Sequence, residues 1–244
     1  MSFPASAPAL PDVRRALAVF AHPDDVDFGC AGTIAGWVDE GIEVAYLIVT
    51  RGGAGGFDDS PREEMPARRD AEQRAAAAVV GVHRVEFLDG HPDGTLVPSR
   101  ELRRDIAAGI RRFRPDRVLT SSPLRRWDLL TGPSHPDHLA VGEAATCAVY
   151  PDSRNRFAFP ELLTEGLEPW VVREIWYAGG PGPDHVVDVT DQVDRKIAAM
   201  RAHHSQTAHM DVAAWVHDLL GTIADDAGLP AGRLAEAFTV LRTE

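Results

Sequence analysis

Residues 21–25 read Ala-His-Pro-Asp-Asp, and residues 134–138 read Ser-His-Pro-Asp-His. Each stretch sets imidazole beside carboxylate and follows an apolar run, "RRALAVF" for the first and "DRVLTSSP" with an irregular loop for the second. Pro23 fixes its own φ and biases His22 towards extended backbone, which holds the imidazole at the end of its run. An aspartate in such a turn can simply cap the next helix. That accounts for one carboxylate, but not for the histidines. Together the stretches supply His22, Asp24, Asp25, His135, Asp137 and His138. This inventory suits zinc, which at catalytic sites takes three N or O ligands and keeps a fourth position for water. Two imidazoles and one carboxylate make a standard set, and they also suit Fe²⁺. Of the remaining groups, one carboxylate can act as general base on the water. One imidazole, oriented by a neighbouring carboxylate, can stabilise an oxyanion or protonate a leaving amine. There is no HExxH, so the site is not of the helical zincin type.

The two clusters form one site only if the elements that carry them are neighbours. "ALAVFA" (16–21), "EVAYLIVT" (43–50), "RVEFL" (84–88) and "DRVLTSS" (116–122) have the β-rich apolar character of buried strands. Between them lie helical segments: 30–38 with Ile34, Trp37 and Val38 on one face, Ala-rich 67–80, and 99–113 behind Ser99 as N-cap. The alternation predicts an α/β fold, a Rossmann-like three-layer sandwich with a mostly parallel sheet and right-handed crossovers. Strand-to-helix junctions of a parallel sheet share one edge, where ligands bind. If strands 1 and 4 pair, the clusters face each other. Further on, a helix is predicted at 139–150 and a long ordered loop at 151–170. Strands follow at "VVREIWYAG" and "HVVDVT", and a helix at 191–203. The segment from about 205 to 244 is predicted helical, broken near Pro230 and packed on a single domain spanning 1–244.

Composition narrows the function. A net charge of -12 in 244 residues argues against nucleic acid as partner. No apolar run approaches the ~20 residues that span a bilayer, and "MSFPASAPALPDVRR" lacks the pattern of a secretory leader. No membrane insertion and a cytoplasmic location are therefore expected. Cys30 and Cys147 form no CxxC pair and are expected to be reduced, buried thiols. "RGGAGG" (51–56) follows a strand, but it fits neither G-x-G-x-x-G nor a P-loop. A flexible loop over a pocket is the expectation there.

The AHPDD junction, "FGCAGTIAGW", "RDAEQRAAAAVVGV" and HPDH, in this order over roughly residues 14–210, resemble the PIG-L/LmbE-like family of zinc-dependent N-deacetylases. The resemblance implies an LmbE-like fold with one zinc per chain held by His22, Asp25 and His138. It implies Asp24 as general base, and His135, paired with Asp137 and protonated, as the electrostatic or acid group. Arg69 and Glu72 match the family's R-x-x-E, with the arginine facing substrate. Asp93 matches a "PDG" turn lining the sugar pocket, and His203 and Gln206 match an "H-x-S-Q" segment near the site. The implied reaction removes an acetyl group from an N-acetylglucosamine-type sugar or a related N-acetylated amine conjugate. A larger amide, such as a mycothiol-type thiol conjugate, is the alternative substrate.

One departure stands out. The family's usual Glu after the paired aspartates is Val26 here, followed by Asp27, which can compensate in the hydrogen bonding behind the ligands. His91, His204, His209 and the charged start of "EEMPARRDAE" are expected at the surface. Arg125, Arg126 and Trp127 fit a substrate-facing loop and a solvated one equally well. Exposed C-terminal helices are candidates for a homo-oligomer interface.

Overall fold

The computed structural model describes residues 10–57 and 61–243. Most of the N-terminal segment in which no leader was expected lies outside them. Four parallel strands come first in the chain: β1 (Arg15–Phe20), β2 (Glu43–Ile48), β3 (Arg84–Phe87) and β4 (Arg117–Ser121). Helices α1 (Asp25–Asp39), α2 (Met65–Val79) and α3 (Arg100–Phe113) make the crossovers, and α4 (Pro136–Cys147) follows β4. β5 (Glu174–Ala178) adds a fifth parallel strand beside β4. The chain closes with β6 (His185–Asp188), α6 (Val193–Ala202), α7 (His204–Thr207), α8 (Val212–Asp226) and β7 (Ala235–Arg242). The sheet order is β3-β2-β1-β4-β5-β7-β6, with β7 antiparallel to both of its neighbours.

Alternate residues of β1 face opposite layers, as pleating requires. Leu17 and Val19 pack under α3 and α4, while Ala16, Ala18 and Phe20 pack under α1 and α2. A smaller apolar cluster joins α6 to α8 through Ile197, Met200, Val216 and Leu220. Ser99 caps α3 by accepting from the Leu102 amide, as its sequence position suggested. None of the helices in the described residues is long and apolar enough to cross a membrane.

Two expectations need correction. The C-terminal segment is helical only through α8, and "AEAFTVLR" is β7. Its Ala, Glu and Leu suit a helix, but the slot between β5 and β6 supplies hydrogen-bond partners on both edges, and tertiary pairing overrides local propensity. The stretch 151–170 is more than a loop. A π-turn (Ala148–Asp152) extends α4, and a single helical turn, α5 (Glu161–Thr164), follows. The buried Arg111 guanidinium ties this stretch down by donating to the carbonyls of Asp152, Ser153, Asn155 and Ala158. Of the two thiols, Cys30 is buried and Cys147 only half-buried.

Candidate active site

β1 and β4 are neighbours, with Val19 opposite Thr120, so their C-terminal ends open on the same edge of the sheet. His22 leaves β1 within a tight turn, and Asp25 begins α1. His135 is the N-cap of α4, and His138 lies in its first turn. The two junctions therefore converge. His22 Nδ1 lies 3.3 Å from His138 Nε2 and 3.4 Å from Asp25 Oδ2, and His138 Nε2 lies 2.9 Å from Asp25 Oδ1. Donors around a tetrahedral zinc, with bonds of about 2.0–2.1 Å, sit about 3.3 Å apart. The two imidazole nitrogens match that spacing, and each has one of the two Asp25 oxygens within 3.4 Å.

The second nitrogen of His22 decides which atoms face a cation. Nε2 lies 3.1 Å from Asp137 Oδ2 and 2.9 Å from Asp93 Oδ1. Two carboxylates favour the proton at Nε2 and leave the Nδ1 lone pair free, the usual arrangement of a ligating histidine. Two overlapping groups of donors thus meet at His22, one with His135 and His138 and the other with Asp93 and Asp137. His138 and Asp25 meet the Nδ1 side, where a metal fits, and Asp93 and Asp137 serve the ring's proton. Burial opposes charge on His22, but Asp25, Asp137 and Asp93 outweigh it and raise its pKa to about 12. The negative field that holds a proton so firmly also favours a divalent cation in its place. Burial would raise Asp25, yet His138 and His22 hold it well below the usual carboxylate range.

Asp24 sits beside these donors as the N-cap residue of α1, with φ of 99°. Burial raises its carboxyl, Arg69 lowers it and Asp25 raises it again, leaving it at about 6. Arg69 Nη2 lies 3.1 Å from Asp24 Oδ2 and also donates to the Pro23 carbonyl, while Nη1 donates to the Gly52 carbonyl at 3.0 Å. This explains the glycine-rich loop. A Cβ on Gly52 would lie 2.2 Å from Arg69 Nη1, and one on Gly55 would lie 2.7 Å from it. The loop is a close-packed cover on a buried guanidinium, and its glycines permit that approach.

Residues 17–149, more than half of the chain, match the family described as PIG-L, GlcNAc-PI de-N-acetylase. The chain is 34% identical to diacetylchitobiose deacetylase of Thermococcus kodakarensis, with 93% of this chain and 83% of the relative aligned. The chain belongs to the PIG-L family. Another relative of this PIG-L chain, 1D-myo-inositol 2-acetamido-2-deoxy-alpha-D-glucopyranoside deacetylase of Rhodococcus erythropolis, is 29% identical over 79% of this chain and 81% of its own length. The crystal structure of Pyrococcus horikoshii N,N'-diacetylchitobiose deacetylase superposes with a TM-score of 0.84 at 30% identity. It covers 94% of this chain and 84% of the other.

The structure shows what each residue singled out in this PIG-L chain touches. Asp137 was paired with His135, but its buried carboxylate accepts from the Gly94 and Leu96 amides and faces His22. The α4 turn points the side chain inward, beneath His22. His135 instead takes the Asp137 backbone N–H on Nδ1 and stands exposed at the mouth. Arg69 does not face open space; it is buried beneath Asp24. Glu72 is tied to Ser205, accepting from its amide and hydroxyl at 2.8 and 2.6 Å. Asp93 bridges His22 and the Ala54 amide, with its side chain only 12% exposed. His203 is fully buried, with Nε2 2.8 Å from Asp27 Oδ2. His91 is half-buried and pairs with Asp105, and Trp127 stands 82% exposed.

Val26 is buried in the core, so the usual Glu has no counterpart at its own position. One residue on, the Asp27 carboxylate accepts from Gln73 Nε2 at 2.7 Å. Gln73 was not singled out from the sequence. The signal was present in α2, where Arg69 and Gln73 stand four apart on an otherwise apolar buried stripe with Met65, Ala76 and Ala77.

Proposed function

We propose that this PIG-L chain is a zinc-dependent N-deacetylase acting on an N-acetylglucosamine-type sugar or a related N-acetylated amine. The convergence of His22 Nδ1, Asp25 and His138 Nε2 beside Asp24 carries this reading. His22, Asp25 and His138 would hold the metal, which when bound supplies a Lewis acid for the amide carbonyl and lowers the pKa of water. Asp24 takes the proton of the attacking water on its carboxylate. Arg69 fixes that carboxylate from below. Partial burial and the neighbouring His22 and His138 lower the pKa of His135 from that of an ordinary imidazole. It is therefore neutral near pH 7, with Nδ1 accepting from Asp137 and the proton on Nε2. In this reading His135 donates a hydrogen bond to the oxyanion of the tetrahedral adduct, rather than acting as the protonated acid the motif suggested. Asp24 then returns its proton to the amine nitrogen as the C–N bond breaks, giving acetate and free amine. Asp93, beside His22 and the Ala54 amide, borders the space a sugar would occupy.

The test is acetate release from N-acetylglucosamine, diacetylchitobiose and N-acetylglucosaminyl conjugates by zinc-loaded protein. Turnover that stops on chelation and returns with zinc is expected. Loss of a larger acid from a thiol conjugate with no acetate from any sugar would replace the deacetylase reading with the amidase one.

A further inference from the structure

Asp24 is strained. Its φ of 99° and ψ of -33° lie where a residue with a Cβ is disfavoured, and its carbonyl must also start α1 by accepting from the Asp27 and Phe28 amides. Such a conformation persists only when its surroundings over-determine it. The Asp24 amide supplies the missing constraint. It donates to Gln73 Oε1 at 2.9 Å, deep in the protein, where Gln73 is fully buried. Gln73 cannot reverse its amide. Nε2 donates at 2.7 Å to Asp27 Oδ2, an atom that also meets His203 Nε2 at 2.8 Å. Lys196 fixes Asp27 from a third direction by donating to its carbonyl, at 3.0 Å, and to Glu236.

Resting on the assignment of Asp24 as the base, we infer that Gln73 is a positioning residue that locks the Asp24 backbone in its strained conformation. Arg69 and Gln73 stand one turn apart on α2, so one helix face grips both the carboxylate and the amide of Asp24. The position needs a side chain that accepts from an N–H and donates to a carboxylate at once. Glutamine does both. Glutamate fits the space but, ionised, presents a second anion to Asp27. Methionine fills the volume and does neither.

The experiment is a double-mutant cycle with Gln73→Met and Asp24→Asn, with Gln73→Glu as the second variant should the first not fold. Steady-state kinetics, metal content and crystal structures are the readouts. Gln73→Met should lower kcat about tenfold to a hundredfold, the scale of a misplaced catalytic group. KM should stay within about twofold and metal content at the wild-type value. In the Asp24→Asn background the same change should alter kcat by less than about twofold, because residues acting as a unit are not additive. The crystal structure of Gln73→Met should show Asp24 relaxed out of the left-handed region. Wild-type kcat, an equal loss in the Asp24→Asn background, loss of metal, or an Asp24 φ still near the native value would each overturn the inference. If wild-type protein releases no acetate from any substrate, the functional reading fails while the Asp24 φ still tests Gln73.

Discussion

The chemistry of the site depends on individual side chains whose neighbours push them apart in character. Asp25 and Asp24 are adjacent in sequence, yet the imidazoles of His138 and His22 overcome burial at Asp25, whereas burial dominates at Asp24. In the proposed function the first stays anionic to hold the metal, and the second is poised to exchange a proton. A general base works only when deprotonated, so kcat/KM should fall as pH drops through the Asp24 pKa. That group sits at about 6, and a bound cation draws it lower, so the acid limb should lie at or below about 6. Asp24→Asn should abolish that limb and lower kcat by at least about a hundredfold while zinc content holds. A pH–rate profile with its acid limb intact in Asp24→Asn would remove Asp24 from the proton transfer.

At the scale of elements, the site depends on how α1 is seated. Lys196 of α6 is fully buried and donates to the Asp27 and Phe28 carbonyls and to Glu236 of β7, whose carboxylate accepts from the Gly32 and Thr33 amides. This buried pair joins the C-terminal strand to the helix that carries Asp25. Removing one partner of a buried pair leaves an uncompensated charge, which costs about 3–5 kcal/mol. Lys196→Met should lower unfolding stability by about that amount in a urea titration. A change below about 1 kcal/mol would show that the pair does not seat α1. The glycine-rich loop acts at the same scale, since side chains at positions 52 and 55 would collide with Arg69 and so disturb Asp24.

For the whole molecule, the donors come from two crossovers more than a hundred residues apart in sequence. On the proposed ligand set, a bound cation would cross-link the β1–α1 junction to the β4–α4 junction and stabilise the folded state by mass action. Chelation should therefore lower the Tm of zinc-loaded protein by several degrees, whereas Asp25→Ala should purify with little zinc and show no further loss with chelator. Equal Tm shifts in both proteins would place the metal elsewhere.

The sequence by itself determined the parallel αβ alternation and the two turns that set imidazole beside carboxylate; that His22, Asp25 and His138 hold a metal is what the family resemblance implies, and that strands 1 and 4 pair was decided by the sheet. The alternation and the turns follow from local causes, apolar period and turn-forming Pro and Asp. Only the tertiary structure decided that "AEAFTVLR" is a strand, because its hydrogen-bond partners lie on β5 and β6, far away in sequence. It also decided that Asp137 serves His22, that Arg69 lies beneath Asp24, that Glu72 holds Ser205, and that Gln73 holds the Asp24 amide. A motif names which side chains are present. The direction each one points is fixed by burial and by the packing of α2 and α4 against the edge of the sheet, and local spacing does not encode that packing.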